Sequence, residues 1–189
     1  MISHSRRCIF IHQRKAAGAS IIRAFGFAKE DPHRHVFNDG VLSEKPRWAE
    51  RARRYPYYLV FTVVRNPWER FISGWRYCTS TRERSVLEVL RAMPVQGHDH
   101  RHLTRQQTDL ICDAQGRFVT DYIIRFEALQ QGFTEVCRRV GQRHARLPHI
   151  NATAHRPYGA YFCAEARALF AHHFARDIAL LGYDFDSGG

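Results

Sequence analysis

Two short stretches of the chain carry residue types that bind and transfer anionic groups. The first, His12-Gln13-Arg14-Lys15-Ala16-Ala17-Gly18-Ala19-Ser20, joins an apolar run to a helical one. Small residues at such a junction let backbone N–H groups approach an anion at a helix N-terminus, while Lys15 adds a mobile cation and Ser20 a hydroxyl. The layout is that of a phosphate loop but not of G-x-x-x-x-G-K-[ST], because here the lysine precedes the glycine. A tight strand-to-helix turn with a surface lysine has the same composition. The second stretch is Val64-Arg65-Asn66-Pro67. It puts an arginine where a P-loop NTPase usually carries an aspartate that helps hold Mg²⁺. A cation there suits a second anionic group. Ser73 lies eight residues after Arg65, about two helical turns, where its hydroxyl can face that same group.

Histidines supply the remaining chemistry. His33-Arg34-His35-Val36 lies between the two stretches, and in an extended segment His33 and His35 point the same way. Neutral imidazole is a competent base near pH 7. His98-Asp99-His100-Arg101-His102 alternates in a way that invites a metal. A structural zinc site wants four ligands at defined spacing, so the segment reads as a polar loop and no metal is assigned.

These groups need a scaffold. Residues 8–11 and 57–64 are short, β-rich apolar runs bounded by punctuation, and both read as buried strands of a parallel sheet. Residues 122–126 form a weaker third candidate. Helices are expected over 20–27, over 67–77 with Pro67 in the first turn, and from Leu129 to a stop at Gly141. A last helix carries Ala166, Leu169, Phe170, Phe174, Ile178 and Leu181 on one face before Gly182. Strands alternating with helices predict an α/β fold with a central, mostly parallel sheet flanked by helices, its ligands beyond the carboxyl ends of the strands.

At 189 residues, with no linker and no repeat, the chain is expected to be one domain spanning 1–189. No apolar run approaches the ~18 residues of a membrane span, and no signal-peptide pattern opens the sequence, so a cytoplasmic protein is expected. Cys8, Cys78, Cys112, Cys137 and Cys163 are odd in number and widely spaced, which predicts reduced, buried thiols. The net charge is +11, and lysine occurs only at positions 15, 29 and 45. Arginine forks match phosphate and sulfate, so an anionic ligand is expected. A nucleic-acid module would show a basic stripe with interleaved aromatics; here the arginines are scattered and the aromatics fall at core spacing.

The two anion motifs resemble those of sulfotransferases that use 3′-phosphoadenosine 5′-phosphosulfate (PAPS). Residues 15–20 resemble the 5′-phosphosulfate loop, commonly P-K-T-G-G-T-S where this chain has Arg14 to Ser20. Residues 63–73, with R-N-P-W-x-R and the spaced serine, are similar to the 3′-phosphate motif of the carbohydrate (Golgi-type) branch and its bacterial relatives. Similar blocks continue at 107–109, 125–129, 147–151 and 177–185. The resemblance implies a P-loop-containing, sulfotransferase-like fold and in-line transfer of a sulfuryl group from PAPS to a hydroxyl or amine, with a carbohydrate acceptor expected and no metal. It assigns Lys15 and the N–H groups of Ala16, Ala17, Gly18, Ala19 and Ser20 to the phosphosulfate, and Arg65 and Ser73 to the 3′-phosphate. His35, partnered by His33, becomes the expected base. Arg156 and Tyr158 fall where relatives have a loop over the nucleotide, and His102 and Gln107 where the acceptor is contacted. The alternative reading is an inactive scaffold that binds the desulfated nucleotide, PAP. A basic nucleic-acid-binding domain is a more distant one.

Overall fold

The computed structural model describes residues 1–27, 55–142, 146–148 and 156–186. The contacts within it group the chain into two compact units, Met1–Val64 with Asp109–Ile150 and Arg65–Thr108 with Asn151–Gly189.

The first unit is built on a four-stranded sheet: β1 (Ile2–Ser3), β2 (Cys8–Ile11), β3 (Leu59–Val64) and β4 (Tyr122–Arg125), in that spatial order. β2, β3 and β4 are parallel, with Ile11 opposite Thr62 and Thr62 opposite Ile123, while β1 runs antiparallel to β2. The result is the mixed α/β architecture with a mostly parallel sheet that the strand–helix alternation predicts. β2 is buried along its whole length, which its Cys-Ile-Phe-Ile sequence permits because no residue demands solvent. The one buried hydroxyl of β3, Thr62 Oγ1, donates to Ile11 O at 2.8 Å, so its burial leaves no polar group unmet.

Helix α1 (Gly18–Phe25) follows β2 and lays Ile21 and Phe25 into a core with Phe10, Phe61, Val63, Ile124, Phe133 and Val136. Phe10 stacks on Phe61 at 5.1 Å between centroids, and Phe25 meets Phe133 edge-on at 5.3 Å. Helix α6 (Leu129–Arg139) supplies Phe133 and Val136. Its predecessors α2 to α5 are Pro67–Tyr77, Val86–Arg91, Gly97–Asp99 and Thr108–Ile111. Burial drives the Cys8 thiol up to about 12, and Cys78, Cys112 and Cys137 are buried too. Cys163 departs from the expectation, because it is exposed.

The second unit packs α2 against α7 (Ala164–His173) and α8 (Ala175–Leu181) through aromatic rings. Trp68 lies on Phe170 at 5.3 Å, and Phe71 meets Phe170 and Phe174 edge-on at 5.4 and 5.9 Å. The single terminal helix expected over 166–181 is two helices, broken at Phe174. The break coincides with a new set of partners: Asp177 N donates to Gln106 Oε1 at 3.1 Å, capping the first turn of α8. Residues 97–104, expected as a polar loop, are helical. α4 runs into a π-helical turn at His100–Thr104, buried at His102 and Leu103. α2 passes this turn so closely that a Cβ on Gly74 would stand 2.5 Å from His102 O. Among the described residues, no helix is long and apolar enough to cross a membrane.

Candidate functional site

The loop after β2 is shaped by its backbone. Lys15 and Ala17 hold left-handed conformations, with φ of 64° and 54°, and Ala16 between them does not. Alternation of this kind turns successive N–H groups toward one side, the arrangement that makes an anion-binding concavity. Ala17 is also the N-cap of α1. It offers no side-chain acceptor to the first turn, while Ser20 N and Ile21 N bond back to Ala17 O. The open end of the helix therefore presents the N–H groups of Gly18 and Ala19 and the positive end of the helix dipole. Ala16 is 1% exposed, its methyl part of the core, so only its backbone is left for chemistry. Ser20 is buried and Ala19 exposed.

His12, the first residue past β2, is a member of this site that the sequence did not reveal. A Cβ on Gly18 would lie 2.0 Å from its imidazole, so the ring rests directly against the glycine. Only glycine lets His12 keep that place. The signal was present as a His-to-Gly spacing, yet nothing in the composition showed that the loop would fold back on itself.

In the second unit, Arg65 is the residue immediately beyond β3, and the local sequence explains its placement. Asn66 Oδ1 accepts from Trp68 N at 3.0 Å and Glu69 N at 3.3 Å, and Pro67 opens α2 with its φ already suited to the turn. The Arg65 guanidinium pairs with Glu69 one turn along, at 2.8 Å. Its main chain is held at both ends by one side chain. Arg65 N donates to Gln107 Oε1, and Gln107 Nε2 donates to Arg65 O, each at 2.9 Å. Gln107 is fully buried, so its amide is spent on Arg65, not on a surface that an acceptor could reach. Gln107 is fixed in turn by Asp177, whose carboxylate accepts from Gln107 N, Thr108 N and Thr108 Oγ1 at 2.7–2.8 Å with no exposed surface of its own. A buried carboxylate normally needs this many donors to be tolerated. Ser73 is half-buried two turns into α2. Arg70, the last arginine of the motif, is buried and donates to Arg105 O.

The other predicted residues fall out variously. Tyr158 is buried beside the start of α2. Burial raises its phenol above the ordinary value, Asn66 hydrogen-bonds it, and its hydroxyl donates to Phe185 O. Arg156 is exposed. His102 is 5% exposed under a stack of rings, with Tyr77 at 4.7 Å and His98 at 4.3 Å. His33 and His35 lie outside the described residues.

The loop, the arginine beyond β3 and the Asp177 block fall within one sequence match. The family model described as the sulfotransferase family matches residues 15–184. The chain belongs to the sulfotransferase family. Comparison with curated proteins and with solved structures gives no match. The match begins at Lys15 and spans segments of both units.

In this sulfotransferase the strained loop residue at 17 is alanine, where the phosphosulfate motif it resembles carries glycine. A left-handed alanine costs about 1–2 kcal/mol, and glycine gives back part of that as unfolded-chain entropy. Ala17→Gly is therefore expected to stabilise the protein by roughly 0.5–1 kcal/mol, about 2 °C in Tm, measured by differential scanning calorimetry. A lower Tm would mean that the alanine methyl packs well enough to outweigh its backbone strain.

Proposed function

We propose that this sulfotransferase moves a sulfuryl group from PAPS to a hydroxyl or amine of an acceptor, a carbohydrate, by in-line displacement. The observation that carries the reading is the loop of residues 15–20, with two left-handed residues, an uncapped helix N-terminus and a lysine at its head. Such a loop fits the 5′-phosphosulfate of PAPS through the backbone N–H groups that the left-handed Lys15 and Ala17 turn.

Bound PAPS would supply an activated sulfuryl group whose S–O bond to the 5′-phosphate breaks as the acceptor O–S bond forms. The protein's task is to position both partners and to offset charge on the leaving oxygen, as in phosphoryl transfer. Lys15, the N–H groups of residues 16–19 and the Ser20 hydroxyl are assigned to the phosphosulfate and the leaving oxygen, where fixed donors act most strongly; the Ser20 N–H is taken up by Ala17 O. Arg65 and Ser73 are assigned to the 3′-phosphate, which separates PAPS and PAP from ATP and ADP. Glu69 sets the Arg65 guanidinium, and Gln107 acts by holding its main chain, a positioning role in place of acceptor contact. His35, partnered by His33, is assigned to take the acceptor proton. Arg156 is assigned to the nucleotide, Tyr158 to holding Asn66 and the C-terminal segment beside it, and His102 to the acceptor side. The +11 charge favours an anionic glycan.

The test is thermal stability with PAP, ADP or AMP in the absence of magnesium. At a hundred times its dissociation constant PAP is expected to stabilise the fold by about 2.7 kcal/mol, and ADP to do much less. Equal shifts from PAP and ADP, or none from PAP, would remove the 3′-phosphate assignment and with it the donor.

A further inference from the structure

The turn that ends α2 brings Cys78 up to the adjacent pair His98 and Asp99. The Cys78 sulfur, a His98 ring nitrogen and an Asp99 carboxylate oxygen all lie within 4.8 Å of one another. Cys78 is the C-cap of α2 and is fully buried, its N–H bonded to Gly74 O at 2.9 Å. His98 and Asp99 come from α4, with side chains 53% and 24% exposed, so the group is open on one side.

Each member is oriented by its neighbours. Asp99 Oδ1 is 2.8 Å from His98 Nδ1, and Asp99 Oδ2 accepts from Ser80 Oγ. The His98 ring stacks against His102 at 4.3 Å, with Tyr77 at 5.7 Å.

We propose that Cys78, His98 and Asp99 form a binding site for a divalent transition metal of the zinc class, with one thiolate, one imidazole, one carboxylate and a fourth position open to water. A mixed sulfur, nitrogen and oxygen set selects zinc-like ions over calcium or magnesium, which prefer oxygen alone. Ligands at about 2.0–2.3 Å from a tetrahedral zinc stand roughly 3.3–3.8 Å apart, against separations of up to 4.8 Å here, so at most about 1.5 Å of closure is required. The exposed His98 side chain can supply it. On binding, the Cys78 S–H bond is replaced by a sulfur–metal bond and its proton goes to solvent, so affinity rises with pH. The metal would tie the end of α2 to α4 and takes no part in sulfuryl transfer. Neither Lys15 nor Arg65 is among its ligands, so the site stands or falls apart from the donor assignment.

The experiment is a cobalt(II) titration of chelator-treated full chain in a Cys163→Ser background, which removes the exposed thiol. Stoichiometric binding is expected, with a thiolate-to-cobalt charge-transfer band and the intense visible bands of tetrahedral coordination, all abolished by added zinc. Cys78→Ser is expected to lose the charge-transfer band. His98→Ala, a surface change that leaves the fold intact by circular dichroism, is expected to weaken binding by at least tenfold while the thiolate band remains. A titration without these bands, or a cobalt affinity unchanged by His98→Ala, would overturn the proposal.

Discussion

Lys15→Ala is expected to lower sulfuryl transfer by at least 10²-fold while leaving PAP-induced stabilisation largely in place. The proposal puts the Lys15 ammonium on the leaving oxygen, where charge grows only as the S–O bond breaks. Removing one such fixed donor from an oxyanion site costs about 10²–10³ in kcat. Product nucleotide, held by many backbone N–H groups as well, should be released only slightly faster. The substitution is clean in one respect. Lysine and alanine suffer the same left-handed strain at φ 64°, so the backbone contribution cancels and only the side chain beyond Cβ is removed. A single-turnover assay with bound PAPS reads the chemical step directly. If Lys15→Ala turned over within a few-fold of the parent, the lysine would be a surface cation on a strand-to-helix turn. If neither protein turned over while both bound PAP, the scaffold reading would take its place.

Asp177→Ala is expected to be the most destabilising single change in the second unit. Its carboxylate meets three donors from Gln107 and Thr108 with no access to water. Alanine strands two backbone N–H groups and a hydroxyl, each costing about 1–3 kcal/mol when buried, for a total near 3–4 kcal/mol after relaxation. Asp177→Asn keeps the volume and one acceptor, so about half that loss is expected. The effect should also reach the nucleotide. Gln107 holds both ends of the Arg65 main chain, and a loosened Gln107 lets the arginine drift. PAP affinity should fall in Asp177→Asn at temperatures where the fold is intact, with kcat less affected than in Lys15→Ala. Denaturant unfolding and PAP titration measure the two parts separately. An unchanged PAP affinity in a measurably destabilised Asp177→Asn would confine Asp177 to stability.

The sequence was most legible where burial and pattern coincide. The Cys-Ile-Phe-Ile run of β2 and the core of β3 allowed few other readings, and Asn66-Pro67 marks the start of α2 by local chemistry alone. β1 was not legible, because two residues carry no period and its pairing depends on Ile9 and Cys8 being nearby. Tyr57 and Tyr58 read as strand by type but belong to a turn, closed by Tyr58 N on Tyr55 O. In the candidate site, residue identities pointed to Lys15, Arg65 and Ser73, whereas conformation had to be seen. No side chain announces that Lys15 and Ala17 will be left-handed. Asp177 was read only as part of a terminal block, since its partners lie some 70 residues away. Cys78 was legible as a buried thiol and nothing more, because its neighbours reach it only through the turn after α2.

The division of the chain also bears on how it is made. Every segment of the first unit has been synthesised by Ile150, including β4, whose Tyr122 pairs with Phe61. The second unit must wait for Asn151–Gly189. Until those residues leave the ribosome, Trp68 and Phe71 have no Phe170 or Phe174 to cover them. A chain released near residue 150 should thus hold every strand of the sheet while Trp68 and Phe71 stay uncovered, the kind of apolar exposure that chaperones hold and that aggregates when they are scarce.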